Sequence, residues 1–242
     1  MNNRRLTPEL MDDPNVPRDE LERSLRFLRA LNARLGGVSA LLSHLQVWSS
    51  RWPRDRPVTL LDIATGSADI PIAARAWAER AGFDLRITAV DMHEKTLEIA
   101  REQVERAGAA DAIELRQADA RRLMDEHEPH SFDYVHAGLF LHHLPDIEVL
   151  TVLRIMDRLA GAGLVWSDLV RSRLSMLGAR IATIRAPQIV KHDAVVSVEA
   201  GFTKAEVLDL RNRLDLTWCE YRRSPLRYRF TLAGERPDAW TD

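Results

Sequence analysis

Residues 60–69 read LLDIATGSAD, a run fit for a buried strand that turns at once into small and polar residues and ends on an acid. The strand begins two residues earlier, as VTLLDIA. It is short, almost continuously apolar and contains β-branched residues, as expected of a strand covered on both faces. IPIAARAWAERAG follows with a helical pattern. LRITAVD is a second strand, and EKTLEIAREQVERAG a second helix, with Leu97, Ala100 and Val104 opposite Glu98, Arg101, Glu102 and Glu105. The unit recurs as IELRQAD with ARRLMDE, then FDYVHAG with DIEVLTVLRIMDRLA, and AGAGLVWSD supplies a fifth strand. Strands alternating with helices predict right-handed βαβ crossovers and an open parallel sheet.

The flanks break this rhythm. TWCEYRRSPLRYRFTLAG predicts a hairpin around Ser224-Pro225, so that one edge strand runs antiparallel. The fold class is therefore α/β, a Rossmann-like, mostly parallel sheet of seven strands. FTKAEVLDLRNRL is a helix with Thr203 as N-cap and Glu206 completing a capping box. Residues 171–200 are long for a simple connection and are expected to form a lid. Before the sheet, LERSLRFLRALNARL places Leu21, Leu25, Leu28, Leu31 and Leu35 on one helical stripe, and VSALLSHLQVW predicts a second helix. Residues 1–57 read as a helical preface, and 58–242 as the main domain with its lid.

At 242 residues and 45% hydrophobic content, the chain suits one large domain. A formal net charge of -2 provides no basic field for nucleic acid or an anionic membrane. Cys219 is the single cysteine, which excludes an intrachain disulfide and disfavours a cysteine-based metal site. With no signal-peptide run in MNNRRLTPEL and no stretch near the roughly 18 apolar residues of a spanning helix, a cytoplasmic protein is expected.

Ligands of an open parallel sheet bind beyond the C-terminal strand ends. There, Ala64, Gly66 and Ala68 let backbone approach a ligand, and the next helix presents its N-terminus. Asp62 and Asp69 would repel a pyrophosphate but suit a ligand carrying a cation. Asp91, ending the second strand, is placed to accept ribose hydroxyls, with Met92 against a flat purine, and Asp119 to accept from an exocyclic amine. Together these ends suit a nucleoside bearing an amino-acid-like cation.

Through LDIATGSAD, VDM, QAD, FDYVHAGLFLHHLPD and the terminal hairpin, residues 55–235 resemble the class I S-adenosylmethionine-dependent methyltransferases. The resemblance implies S-adenosylmethionine as cofactor, with Asp62, Ala64, Thr65, Gly66 and Ser67 around its methionine portion. It puts Asp91 at the ribose, Asp119 and Ala120 at the adenine, and Ala137 and Gly138 beside the cofactor after strand four. The family carries glycine where this chain has Ala64, and often again at Ala68. A methyl at Ala64 calls for negative φ there. ELMDDPNVPRDEL, SDLVRSRL and KHDAVVSVEAGFTKAE look like small bacterial methyltransferases of polyketide and other aromatic natural products, which implies secondary metabolism and a phenolic or polyketide-like acceptor.

A phenol with a pKa of about 10 gains from a nearby base. The candidates are His142 and His143 in FLHHLPD and His192 in VKHDAV, although one of the pair could cap the helix near Pro145 and His192 could face solvent with Asp193. Asp168 could shape the acceptor pocket or cap the next segment, and Arg171 and Arg173 are expected to be solvated. No convincing set of clustered carboxylates emerges, so metal-independent transfer to oxygen is expected. The leucines and Trp48 suit an apolar ring, though a homodimer contact would leave the same pattern. Ring C-methylation of a quinone precursor is the near alternative. An NAD-dependent oxidoreductase is opposed by the absence of G-x-G-x-x-G and of a Tyr-x-x-x-Lys pair after strand four. A non-catalytic protein of the same fold is opposed by the three intact strand-end acids.

Overall fold

The computed structural model describes residues 3–225 and 228–240. VTLLDI forms β1 (Val58–Ile63), preceded by helices α1 (Arg18–Arg34) and α2 (Gly37–Trp48). The alternation then runs α3 (Asp69–Arg80), β2 (Leu85–Asp91), α4 (Glu94–Arg106), β3 (Ile113–Gln117), β4 (Phe132–Gly138), α5 (Asp146–Leu159) and β5 (Ala160–Leu169). The expected lid is two helices, α6 (Arg173–Ala182) and α7 (Gln188–Ala200), and α8 (Lys204–Arg213) leads to β6 (Glu220–Arg223) and β7 (Arg229–Glu235). Thr203 and Glu206 make the reciprocal capping box at α8.

The seven strands lie in the order β3-β2-β1-β4-β5-β7-β6, with β1 to β5 parallel. Strand order switches between β1 and β4, and this opens a crevice at their carboxyl ends. The antiparallel strand is not the edge strand, contrary to the sequence expectation. β7 pairs antiparallel with both β5 and β6, so the edge strand β6 runs in the same direction as β1 to β5. The chemistry explains the order. β7 buries Phe230 and Leu232 on one face and Thr231 and Ala233 on the other, whereas the EYRR of β6 is polar and mostly exposed, and charged edges resist pairing with other chains. The hairpin tip, residues 226–227, lies outside the described residues.

Alternating strand residues feed two cores. One face sends Leu61, Val135, Leu164 and Trp166 against α5 and α8, where Trp166, Phe202 and Phe230 meet edge to face with centroids 4.9 to 6.2 Å apart. Such pairs add about 0.5–1.5 kcal/mol beyond burial. The other face packs Leu60, Tyr134 and Val165 against α2 and α3. Leu41 and Leu45 of α2 are fully buried there, so this helix is built into the core. Trp48 stacks on Tyr134 at 5.4 Å, and Trp52 Nε1 donates to the Tyr134 hydroxyl at 2.7 Å. Trp48 is thus a core residue and no part of an acceptor pocket.

Arg171 departs from its expected solvation. It is buried, donates to the Gly201 carbonyl oxygen and pairs with Glu206 at 2.5 Å, tying the segment before α6 to α8. Arg173 is exposed as expected. No helix of the described residues is long and apolar enough to cross a membrane.

Candidate active site

A cavity of about 1130 Å³ opens at the crevice between β1 and β4. Its floor is the turn after β1 and the ends of β2 and β4. α1 covers it with Leu21, Leu25, Leu28 and Leu31, with Leu35 at its C-cap, and α6 contributes the small inner face Gly178, Ala179 and Ala182 together with Val190 and Ser197 of α7. The leucine stripe therefore serves this chain's own cavity.

The turn uses three left-handed residues in five: Ala64 at φ 57°, Gly66 at φ 56° and Ala68 at φ 59°. The negative φ expected at Ala64 is not found. The residue sits in a sharp reversal from β1 into α3, pinned by Thr65 N donating to Val90 O at 2.9 Å. Left-handed backbone costs a residue with a Cβ about 1–2 kcal/mol, partly offset in glycine by its larger entropy loss on folding. Ala64→Gly is accordingly expected to raise unfolding free energy by about 1 kcal/mol, read as a shifted midpoint in denaturant titration; a lower midpoint would contradict the assigned φ.

Asp91 braces this turn. Its Oδ2 accepts from Gly66 N at 2.9 Å and its Oδ1 from His93 N at 3.0 Å, and burial raises its pKa against those hydrogen bonds. A Cβ built on Gly66 would meet nothing within 4 Å, so the backbone there faces open space. Met92 sits half exposed at the rim, and Ala120 and Ser67 line the wall. The Asp119 carboxylate is engaged on both oxygens by Arg121, at 2.9 and 2.7 Å, and caps the following 3-10 turn, so a contact to an exocyclic amine would share these atoms. Gly138 lines the cavity, but Ala137 points into the opposite core and does not.

Asp62 pairs with His136, Oδ1 to Nδ1 at 2.5 Å, both buried. His136 escaped the sequence reading. The β1–β4 register sets residue 62 beside residue 136 on one face, and only the strand order reveals that pairing. His136 Nε2 and Thr65 Oγ1 are buried without partners at the cavity wall, two polar atoms that a ligand would satisfy. A Cβ on Gly138 would lie 2.8 Å from His136 Cε1, which accounts for glycine at that position.

At the far end stand His142 and His143, on a 3-10 turn after β4. Asp168 at the end of β5 is fully buried and accepts from His142 Nδ1 at 2.7 Å. His143 Nδ1 meets Asp12 at 2.9 Å, and Glu9 faces both rings, 3.4 Å from His142 Nε2 and 3.7 Å from His143 Nε2. Burial disfavours charge on His142, yet Asp168 and Glu9 outweigh it and raise its pKa to about 10. Burial likewise opposes charge on Glu9, whose pKa is nonetheless lowered by the two rings. This end of the cavity attracts positive charge.

Glu9 and Asp12 were also not anticipated, nor was a cluster of potential metal ligands. Both acids arrive on the N-terminal segment, which is strapped across the cavity. Arg4 donates to the carbonyl oxygens of Ala200 at 2.8 Å, Leu144 at 2.9 Å and His142 at 3.1 Å, and Asp193 accepts from Leu10 N and Met11 N at 2.8 and 3.0 Å. His192 is placed differently from its expectation as a cavity base. Its ring is 43% exposed, bonds Asp193 at 2.9 Å and is absent from the cavity wall.

Residues 60–163 match the family model described as a methyltransferase domain. The demethylmenaquinone methyltransferase of Staphylococcus aureus is 27% identical over 157 residues, covering 63% of this chain and 61% of that protein. The chain thus spans about 61% of the length of the curated relatives it matches. Among solved structures, magnesium protoporphyrin IX methyltransferase from Synechocystis, with bound SAH, superposes with a TM-score of 0.57 at 16% identity over 83% of this chain and 82% of its own. The plantazolicin methyltransferase in complex with SAH gives 0.61 at 14% identity, over 86% and 81%. Residues 60–163 thus carry a methyltransferase domain, and the sheet order and overall fold are similar to those of solved S-adenosylmethionine-dependent methyltransferases.

Proposed function

We propose that this chain transfers a methyl group from S-adenosylmethionine to a hydroxyl oxygen of a small aromatic acceptor. The observation that carries this is the continuity of one cavity from the Asp91-braced turn to the two histidines, under an apolar cover of leucines. At about 1130 Å³ the cavity exceeds the 300–1,000 Å³ usual for one drug-sized ligand, which supports two ligands side by side.

The residues present fit the cofactor. Backbone at Gly66 is open to it, Thr65 Oγ1 and His136 Nε2 await partners, and the carboxylates of Asp62 and Asp91 suit an ammonium group and ribose hydroxyls. Bound there, S-adenosylmethionine supplies an electrophilic methyl on a sulfonium. The chain's own residues position the acceptor. The leucines of α1 hold its ring, and the end formed by His142, His143 and Glu9 receives its oxygen. α1, the lid and the N-terminal strap keep water from the line of attack, where about 3–3.5 Å between reacting atoms is required.

A second reading follows from the relatives named demethylmenaquinone methyltransferases, which favour transfer to a ring carbon of a hydroquinone. One experiment separates the two. Protein incubated with methyl-labelled cofactor and a panel of phenols, hydroxypyrones and hydroquinones is expected to yield a methoxy product. A C-methyl product would move the assignment to carbon, and cofactor binding with no product across the panel would reject enzymatic transfer to this acceptor class.

A further inference from the structure

The groups that meet at the histidine end have the makings of a chelate. Glu9 Oε1 lies 3.4 Å from His142 Nε2 and 3.7 Å from His143 Nε2, and one donor atom from each of the three residues falls within 4.8 Å of the others. Ligands about 2.0–2.1 Å from a tetrahedral zinc-like ion stand about 3.3–3.5 Å from one another. Glu9 already keeps close to that spacing from both rings.

Ring orientation agrees. His142 directs Nδ1 to Asp168 at 2.7 Å and His143 directs Nδ1 to Asp12 at 2.9 Å, which leaves each Nε2 turned toward Glu9. A carboxylate behind a coordinating imidazole fixes its tautomer and makes the other nitrogen a better donor. Three carboxylates around two rings also concentrate negative charge that a dication would neutralise.

We propose that Glu9, His142 and His143 bind a divalent first-row transition ion, with a coordination position open to the cavity for the acceptor's oxygen. Two imidazoles and one carboxylate favour zinc, cobalt, iron(II) or manganese over magnesium and calcium, which prefer all-oxygen sets. The role of the ion rests on the methyl-transfer function proposed above. It takes the acceptor hydroxyl oxygen, whose proton passes to solvent. The oxygen lone pair then forms the new O–C bond as the S–C bond breaks, and sulfur keeps the electron pair.

The test uses the full chain, stripped with a chelator and titrated with Co²⁺ alone while visible absorption is followed. Saturable d–d bands at about one ion per chain are expected, lost in His143→Ala and Glu9→Gln and about 10–100-fold weaker in Asp12→Asn. The side chains of His143 and Asp12 are 25% and 43% exposed, so two of these variants spare the core. Calorimetry with S-adenosylhomocysteine runs in parallel and is expected to be unchanged in all three variants. Intact S-adenosylhomocysteine binding without saturable cobalt binding, or the same cobalt spectra in wild type and His143→Ala, overturns the metal site and leaves the methyl-transfer function standing. Cobalt binding without S-adenosylhomocysteine binding overturns methyl transfer and the ion's role in it.

Discussion

Asp91→Ala is expected to weaken binding of S-adenosylmethionine and S-adenosylhomocysteine by about 100-fold or more. A hydrogen bond to a charged group contributes about 1.5–3 kcal/mol, and 1.4 kcal/mol is tenfold in affinity, so losing the carboxylate proposed to receive two ribose hydroxyls costs at least two powers of ten. The turn loosens as well. Gly66 N and His93 N, which donate to this carboxylate at 2.9 and 3.0 Å, both lose their acceptor. Calorimetric titration checks the prediction, with Asp91→Asn as an intermediate case that keeps one acceptor oxygen. Wild-type affinity in Asp91→Ala would place the ribose elsewhere and remove the chief support for the cofactor's orientation in the cavity.

Asp168→Ala is expected to cause the largest loss of stability. The carboxylate is fully buried and accepts from His142 Nδ1, His142 N, Leu169 N and Trp166 Nε1. Removing one member of a buried, hydrogen-bonded charge pair costs about 3–5 kcal/mol, because the partner groups stay buried without an acceptor. For a domain of this size that is a fall in melting temperature on the order of 10 °C. Turnover should fall with it, since Asp168 sets the angle of the His142 ring. Thermal scans of Asp168→Ala beside Asp168→Asn check both parts: the asparagine variant keeps an acceptor and should recover some of the melting temperature, and equal melting of alanine variant and wild type would refute the buried pair.

What could be read from the chain and what could not divides along physical lines. The glycine turn, Asp91 and the capping box at Thr203 each depend on residues close in sequence, and local chemistry was enough to mark them. His136 and Asp62 sit 74 residues apart and meet only because β1 lies beside β4. Strand order is a property of the whole sheet. The hairpin was visible, but which of its strands lies inside depends on how apolar both faces of β7 are, compared with β6. Arg171 looked like a surface residue beside Arg173 because nothing local announced Glu206, 35 positions on, as its partner. Ala64 went wrong for a different reason. Steric preference argued for negative φ, and the packing of the reversal into α3 overrode it at a cost the fold absorbs.

The strap of residues 4 to 12 bears on the order in which this molecule becomes competent. Glu9 and Asp12 reach the histidines across 133 and 131 positions of chain. The turn after β1, by contrast, closes over 25 positions, from Gly66 to Asp91. Contacts between distant positions repay their loop-closure entropy late, so the turn proposed to hold the nucleoside is expected to form with the sheet, and the proposed reaction centre only when residues 4 to 12 come to lie against α7 and the turn after β4. A chain whose sheet is intact but whose strap is loose would still hold the cofactor and would carry out no chemistry with it. Under the proposed function, folding quality is thereby built into turnover.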